Sequence, residues 1–207
     1  MNRSLRVEII PLGRVDEVAG AVVAANIQEF LGFPTTLASP QPVPEEAHLP
    51  GRNQYDAGWI LKQLRRGLDP RALRLGVTTR DLALPILTYV FGEALVGGRA
   101  AVVSVFRLGT EPGQPRKDLG RLYERLAKVA LHETAHALGV PHCRRSGCLM
   151  RFSYGLDHLD TLEIAFCPAC REEIARRTGA LTGINYAGTP EPTDSNPSPV
   201  PGRQRPS

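Results

Sequence analysis

Apolar and polar positions follow two different periods in the first part of the chain, and each period predicts a different kind of element. Short apolar runs typical of buried strands lie at residues 5–11, 35–39 and 72–78. Apolar positions at helical spacing occupy residues 15–31 and 55–66, and four prolines within residues 40–53 predict a loop between these helices. Strand and helix therefore alternate, an order that favours a partly parallel sheet with crossover helices.

A second pattern begins near residue 86. Residues 86–95 and 100–108 predict two more strands, and the pair Gly97-Gly98 between them suits an antiparallel, hairpin-like connection. Gly92 interrupts the first of these strands and indicates a weak or bulged strand, as at the edge of a sheet. With the helices that follow, this order predicts a single α+β domain built on a mixed, twisted sheet.

The next predicted helix, residues 115–138, contains the most informative residues of the chain. His132 and His136 lie four positions apart, with Glu133 between them. Helix positions i and i+4 share one face, so both imidazoles can bind one metal ion. The pattern is the zinc peptidase signature, in which Glu133 lies beside the metal as a general base for zinc-bound water. It predicts hydrolysis of peptide bonds in a peptide or protein substrate.

A third histidine follows directly after the end of this helix. Gly139 can take the left-handed conformation that ends a helix, and Pro141 prevents the helix from resuming. The turn is expected to bring His142 back as a third ligand. Three protein ligands leave a fourth position open for water and substrate, as catalytic zinc sites require.

All four cysteines come after the histidines, as Cys143 and Cys148 and then Cys167 and Cys170. Two pairs at such spacing predict a second, structural zinc ion held by four thiolates. Two disulfides are the alternative. The first residues lack a long apolar core, so we expect no signal peptide, a reducing cytoplasmic location and thiols available for metal.

Composition narrows the classes of partner. No apolar run approaches the roughly 18 residues that a membrane helix needs, so we expect a soluble protein. The formal charge is only +4 and aromatic residues make up 6% of the chain, which argues against a nucleic-acid-binding face. We expect a monomer.

These motifs together resemble the archaemetzincin family of zinc-dependent metallopeptidases. The resemblance rests on the run from His132 to Cys143, on Cys148 and Met150, and on the pair Cys167 and Cys170. It implies a metzincin-like zincin domain with a zinc-braced, helical C-terminal part, and it places Met150 in the turn beneath the catalytic metal. It also implies an edge strand above the zinc that holds extended substrate, for which residues 89–95 are the candidate.

The last part of the chain changes character. Asp160-Thr161 predicts the cap of a short helix through Phe166, and Cys167-Pro168 predicts the start of another helix that ends at Gly179. Residues 187–207 are rich in Pro, Ser, Thr and Gly and predict a disordered tail behind a metallopeptidase domain at residues 1–186.

Two questions stay open at this level. Tyr154 either reaches the cleft or packs inside the protein. A metal-binding motif defines ligands and not turnover, so a catalytically dormant zinc-binding interaction protein is the alternative to a peptidase.

Overall fold

Two β-sheets and the helices around them form the part of the protein that a computed structural model describes, residues 5–109 and 118–179. The strands are β1 (Arg6–Leu12), β2 (Thr35–Leu37), β3 (His48–Leu49), β4 (Gln54–Asp56), β5 (Ala72–Thr78), β6 (Leu82–Leu84), β7 (Leu87–Val90), β8 (Gly92–Leu95) and β9 (Ala100–Ser104). The α-helices of the described ranges are α1 (Glu17–Leu31), α2 (Ala57–Arg65), α3 (Leu119–Ala137), α4 (Leu156–Thr161) and α5 (Pro168–Thr178).

The larger sheet has five strands in the order β2-β1-β5-β9-β8. The pairs β1/β2, β1/β5 and β5/β9 are parallel, and β8 is added antiparallel at one edge. The smaller sheet has the order β3-β4-β6-β7 and is also mixed. The predicted α+β class, the partly parallel sheet and the antiparallel connection at Gly97-Gly98 are therefore confirmed.

The two faces of the large sheet carry two separate apolar cores. Along β1, Val7 and Ile9 pack with α1 and α3, whereas Ile10 and Leu12 pack with α2. This alternation is the period of two that a strand imposes on its side chains. It leaves α3, the helix with the histidines, against one face of the sheet.

The hairpin between β8 and β9 holds the C-terminal end of α3. The Gly97 N–H donates to the His136 carbonyl oxygen at 2.9 Å, and the Arg99 N–H donates to the Ala137 carbonyl oxygen at 3.0 Å. The last carbonyl groups of a helix have no partner within the helix, so these bonds satisfy two of them. The sheet edge and the histidine helix are thereby joined directly.

The single strand predicted at residues 86–95 is wrong. The chain forms two strands there, β7 in the small sheet and β8 in the large one, with Phe91 between them. A continuous apolar run does not reveal where a chain passes from one sheet to another. The strand predicted to reach Leu108 likewise ends at Ser104.

The helix predicted to begin at Asp160-Thr161 is also misplaced, because α4 ends at Thr161. The Asp160 carboxylate does not cap a helix; it pairs with the Arg125 guanidinium of α3 at 2.5 and 2.7 Å. Similarly, Tyr55 belongs to β4 and Asp56 caps α2 by accepting from the Trp59 N–H. Residues that local patterns had assigned to helices thus form an ion pair or a strand with distant parts of the chain.

Some expectations fall partly or wholly beyond these ranges. Residues 115–117 of the predicted histidine helix and the predicted tail at 187–207 lie outside the described residues. Among the described residues, none of the helices combines the length and hydropathy of a membrane-crossing segment.

Candidate metal centres and active-site cleft

The first two histidines face each other across one turn of α3. Their Nε2 atoms lie 3.0 Å apart. The Nδ1 of His132 lies 2.7 Å from the Leu149 carbonyl oxygen, and the Nδ1 of His136 lies 2.7 Å from the Val140 carbonyl oxygen. A carbonyl only accepts, so each Nδ1 carries the proton and each Nε2 of the neutral ring presents a lone pair.

The turn after α3 brings the third histidine to the same point. Gly139 has φ +99°, its N–H donates to the His136 carbonyl, and the Val140 N–H donates to the Ala135 carbonyl. This is the Schellman arrangement at the end of a helix. It places the His142 ring 4.5 Å from the His136 ring, and one ligand nitrogen from each of the three histidines lies within 4.8 Å of the others.

The chemistry of this donor set fits a zinc ion. Burial lowers the pKa of all three imidazoles, that of His132 to about 3, so the rings stay neutral and ready to donate lone pairs. Nitrogens bound tetrahedrally at about 2.0–2.1 Å from zinc would lie about 3.3 Å apart, close to the observed 3.0 Å. Two lone pairs facing each other otherwise repel, and a cation removes that repulsion.

The side chain of Glu133, a residue of α3, lies against the edge strand β8, and only 9% of the residue is exposed. Burial, and secondarily the Glu93 carboxylate, raises the pKa of Glu133 well above its usual range. Gly92 of β8 packs directly on the Glu133 side chain. The sequence indicated an edge strand at Gly92 but gave no sign of this contact.

An open cleft of about 620 Å³ runs past the histidines and Glu133. One wall is the chain from β7 through β8, and the other is the segment after Met150. The walls carry aromatic and aliphatic side chains, among them Tyr89, Phe91, Leu149, Phe152, Tyr154, Leu159 and Leu162. Tyr154 is 76% exposed and stacks on the His158 ring at 4.8 Å, so it reaches the cleft and is not a core residue.

The four cysteines also meet at one point. Sγ of Cys143 and Cys167 are 3.8 Å apart, as are those of Cys148 and Cys170, and all four sulfurs lie within 4.8 Å of one another. A disulfide bond is about 2.05 Å long, so the cysteines are free thiols and not disulfides. Sulfurs at about 2.3 Å from a tetrahedral zinc lie about 3.8 Å apart, so this set fits zinc as well.

A short segment connects the two ligand clusters. Cys148 belongs to the cysteine cluster, and the carbonyl oxygen of the next residue, Leu149, accepts a hydrogen bond from His132. Met150 is buried, and its carbonyl oxygen accepts a hydrogen bond from the Cys143 N–H at 2.7 Å. The backbone carbonyls of Val140 and Leu149 orient the histidine ligands. Sequence reasoning missed them because a backbone acceptor has no residue signature.

Comparison with known proteins gives a consistent result. The profile of Peptidase family M54 matches residues 66–176. An archaemetzincin of Natronomonas pharaonis is 31% identical over 173 residues, covering 82% of this chain and 99% of the relative.

Solved structures agree in fold. The archaemetzincin of Archaeoglobus fulgidus, crystallised with malonate, is 33% identical, covers 82% of this chain and 99% of its own, and superimposes with a TM-score of 0.71. A zinc-dependent peptidase from Methanocorpusculum labreanum is 28% identical, with 81% and 99% coverage and a TM-score of 0.73. The resemblance found in the motifs is confirmed, and the chain belongs to the archaemetzincins of Peptidase family M54, a family of zinc metallopeptidases.

Proposed function

We propose that this protein cleaves peptide bonds at a catalytic zinc site formed by His132, His136 and His142, with Glu133 as the general base. We also propose that Cys143, Cys148, Cys167 and Cys170 hold a second, structural zinc. The observation that carries the proposal is the convergence of the histidine lone pairs beside a buried carboxylate that belongs to neither ligand set.

The division of roles follows from chemistry. A zinc ion in the histidine site would act as a Lewis acid, which lowers the pKa of water and polarises a peptide carbonyl. The Glu133 carboxylate accepts the proton of the attacking water and later passes it to the leaving amine. His132 and His136 remain fixed because carbonyl groups hold their Nδ1 protons.

The edge strand suggests how a substrate is held. The Ser104 N–H donates to the Phe91 carbonyl at 2.8 Å, so Phe91 and Ser104 form a hydrogen-bonded pair. Pairs alternate along an antiparallel ladder, and the next pair therefore turns the N–H and C=O of Gly92 toward the open edge. The same holds for Ala94. An extended peptide can add to this edge as a further strand, with apolar side chains against the walls of the cleft.

The structural site has a separate task. Cys167 and Cys170 lie at the start of α5, whereas Cys143 directly follows His142. A closed four-thiolate zinc would join α5 to the turn that carries His142 and to the segment that holds His132. It would thus fix the third ligand without taking part in hydrolysis.

The test is hydrolysis of an unbiased peptide library, with cleavage sites read by mass spectrometry. Zinc-loaded protein should cleave extended peptides beside apolar residues, protein stripped by a chelator should not, and added zinc should restore cleavage. If the loaded protein holds zinc in its histidine site and cleaves nothing, the protein is a dormant zinc-binding protein and the proposal is wrong.

A further inference from the structure

We infer that Gly92 is a positioning residue for the reaction: its missing side chain lets the edge strand rest on Glu133 and sets the distance between a bound peptide and the base. The inference rests on the proposed peptidase function. Gly92 binds no metal and carries no reactive group, and its effect comes from the packing of β8 on α3.

The space at Gly92 is closed on two sides. A methyl group at this position would lie 2.7 Å from Cγ of Glu133, 2.9 Å from Cγ1 of Val129 and 3.0 Å from the Val102 carbonyl oxygen. Carbon atoms in contact normally stay about 3.5–4.0 Å apart. The first two atoms belong to α3 and the third to the neighbouring strand β9, so an added methyl group would press on the helix and on the sheet at the same time.

Backbone conformation does not explain the glycine. The φ of Gly92 lies outside the left-handed region, in contrast to the nearby Gly97 at +68°. An alanine could therefore adopt this backbone, and what excludes it is the crowding by Glu133, Val129 and the Val102 carbonyl, with Glu133 the nearest. Two residues further on, Ala94 faces the same core and accommodates its methyl group there. A methyl group is thus excluded beside the base at Gly92 and accommodated at Ala94.

The same residue also meets the substrate in the proposed binding mode. Gly92 turns its N–H and C=O to the open edge, where an extended peptide would pair, while its Cα rests on the Glu133 side chain. One residue therefore fixes both the register of the peptide and the position of the base below it. Displacing reacting groups by about 1 Å can cost on the order of 10²-fold in rate.

The experiment compares Gly92→Ala with Gly20→Ala, using fluorogenic peptides designed from the sites cleaved in the library. Gly20 lies in α1 away from the cleft, and its added methyl would also meet a tight contact, 3.0 Å from Cδ1 of Leu37. We expect Gly92→Ala to lower kcat about 10–100-fold with KM changed less than about threefold, at full zinc content. Gly20→Ala should leave both constants unchanged.

A double-mutant cycle separates positioning from general damage to the fold. If Gly92 acts through Glu133, adding Gly92→Ala to Glu133→Gln should change the residual rate less than about threefold. Losses that multiply would overturn the inference, as would full activity of Gly92→Ala.

The double variant Gly92→Ala/Val129→Ala is the control for an effect on folding. It relieves the contact with Val129 and keeps the overlap with Glu133. Its melting temperature should be close to that of Val129→Ala alone, with kcat still reduced relative to Val129→Ala. Recovery of kcat to the Val129→Ala value would overturn the inference. A wild type that cleaves nothing would refute the peptidase function itself, and the inference with it.

Discussion

Replacing Asp160 by alanine should destabilise the protein by breaking the tie between the histidine helix α3 and the cleft helix α4. Arg125 of α3 has a side chain only 3% exposed, and two of its nitrogens donate to the Asp160 carboxylate. The guanidinium also donates to the Leu108 carbonyl at 2.8 Å, a bond that the substitution leaves in place. The variant therefore removes one carboxylate, which accepts two hydrogen bonds from this buried cation.

The size of the effect follows from the burial of the two partners. Removing one partner of a fully buried ion pair costs about 3–5 kcal/mol. Because the Asp160 side chain is 31% exposed, water replaces part of the lost interaction, and we expect about 2–3 kcal/mol. For a chain of this size that corresponds to a melting temperature lower by about 4–12 °C.

The loss should depend on pH with a defined sign. The hydrogen bonds from Arg125 hold the pKa of Asp160 below its ordinary value. A carboxylate whose pKa is lowered in the folded state makes its full contribution to the free energy of unfolding at pH values above its unfolded pKa of about 3.9. The protein loses this contribution as the pH falls through the folded-state pKa. The difference between wild type and Asp160→Ala should be constant from about pH 5 to 8 and shrink below about pH 4.

Urea unfolding of the zinc-loaded proteins, followed by circular dichroism and by the fluorescence of the single tryptophan, Trp59, measures this difference. Asp157→Ala is the matched control, because Asp157 lies exposed on the same helix and should cost less than about 0.5 kcal/mol. Equal stability of the two variants, or a difference that grows in acid, would refute the reasoning.

The remaining predictions concern the two ligand clusters. The purified protein should bind two zinc ions, and a chelator should remove the ion at the open histidine site first. A zinc content of one equivalent in both wild type and His132→Ala/His136→Ala would contradict this. Cys167→Ser should lower the melting temperature far more than His136→Ala, because the binding energy of a structural zinc is also folding energy; equal melting temperatures would argue against a cysteine zinc site.

Elements that depend on local chemistry were predictable from the sequence. The helix that starts at Pro168 and ends at Gly179 needs only a first-turn proline and a glycine in the left-handed conformation, and both are observed. The same is true of the turn at Gly139, which brings His142 beside the helix. Helix ends and the spacing within each cysteine pair are local, whereas the meeting of Cys143 with Cys167, 24 residues apart, was predicted from the zinc-ligand pattern.

Features that depend on distant partners were not predictable. Asp160 reads as a helix cap but pairs with Arg125, which precedes it by 35 residues. Residues 86–95 read as one strand because no local signal marks the passage between the two sheets. Gly92 reads as a weakness of the edge strand, and its contact with Glu133 exists only once sheet and helix have packed.

The most direct test of the central claim is peptide cleavage by Glu133→Gln measured together with its zinc content. Glu133 lies beside the histidines without belonging to either ligand cluster, so the variant should keep both zinc ions. Loss of a general base costs about 10²–10⁴ in rate, and cleavage should fall by that factor. If Glu133→Gln cleaves as fast as wild type with zinc in place, Glu133 is not the base and the mechanism is wrong.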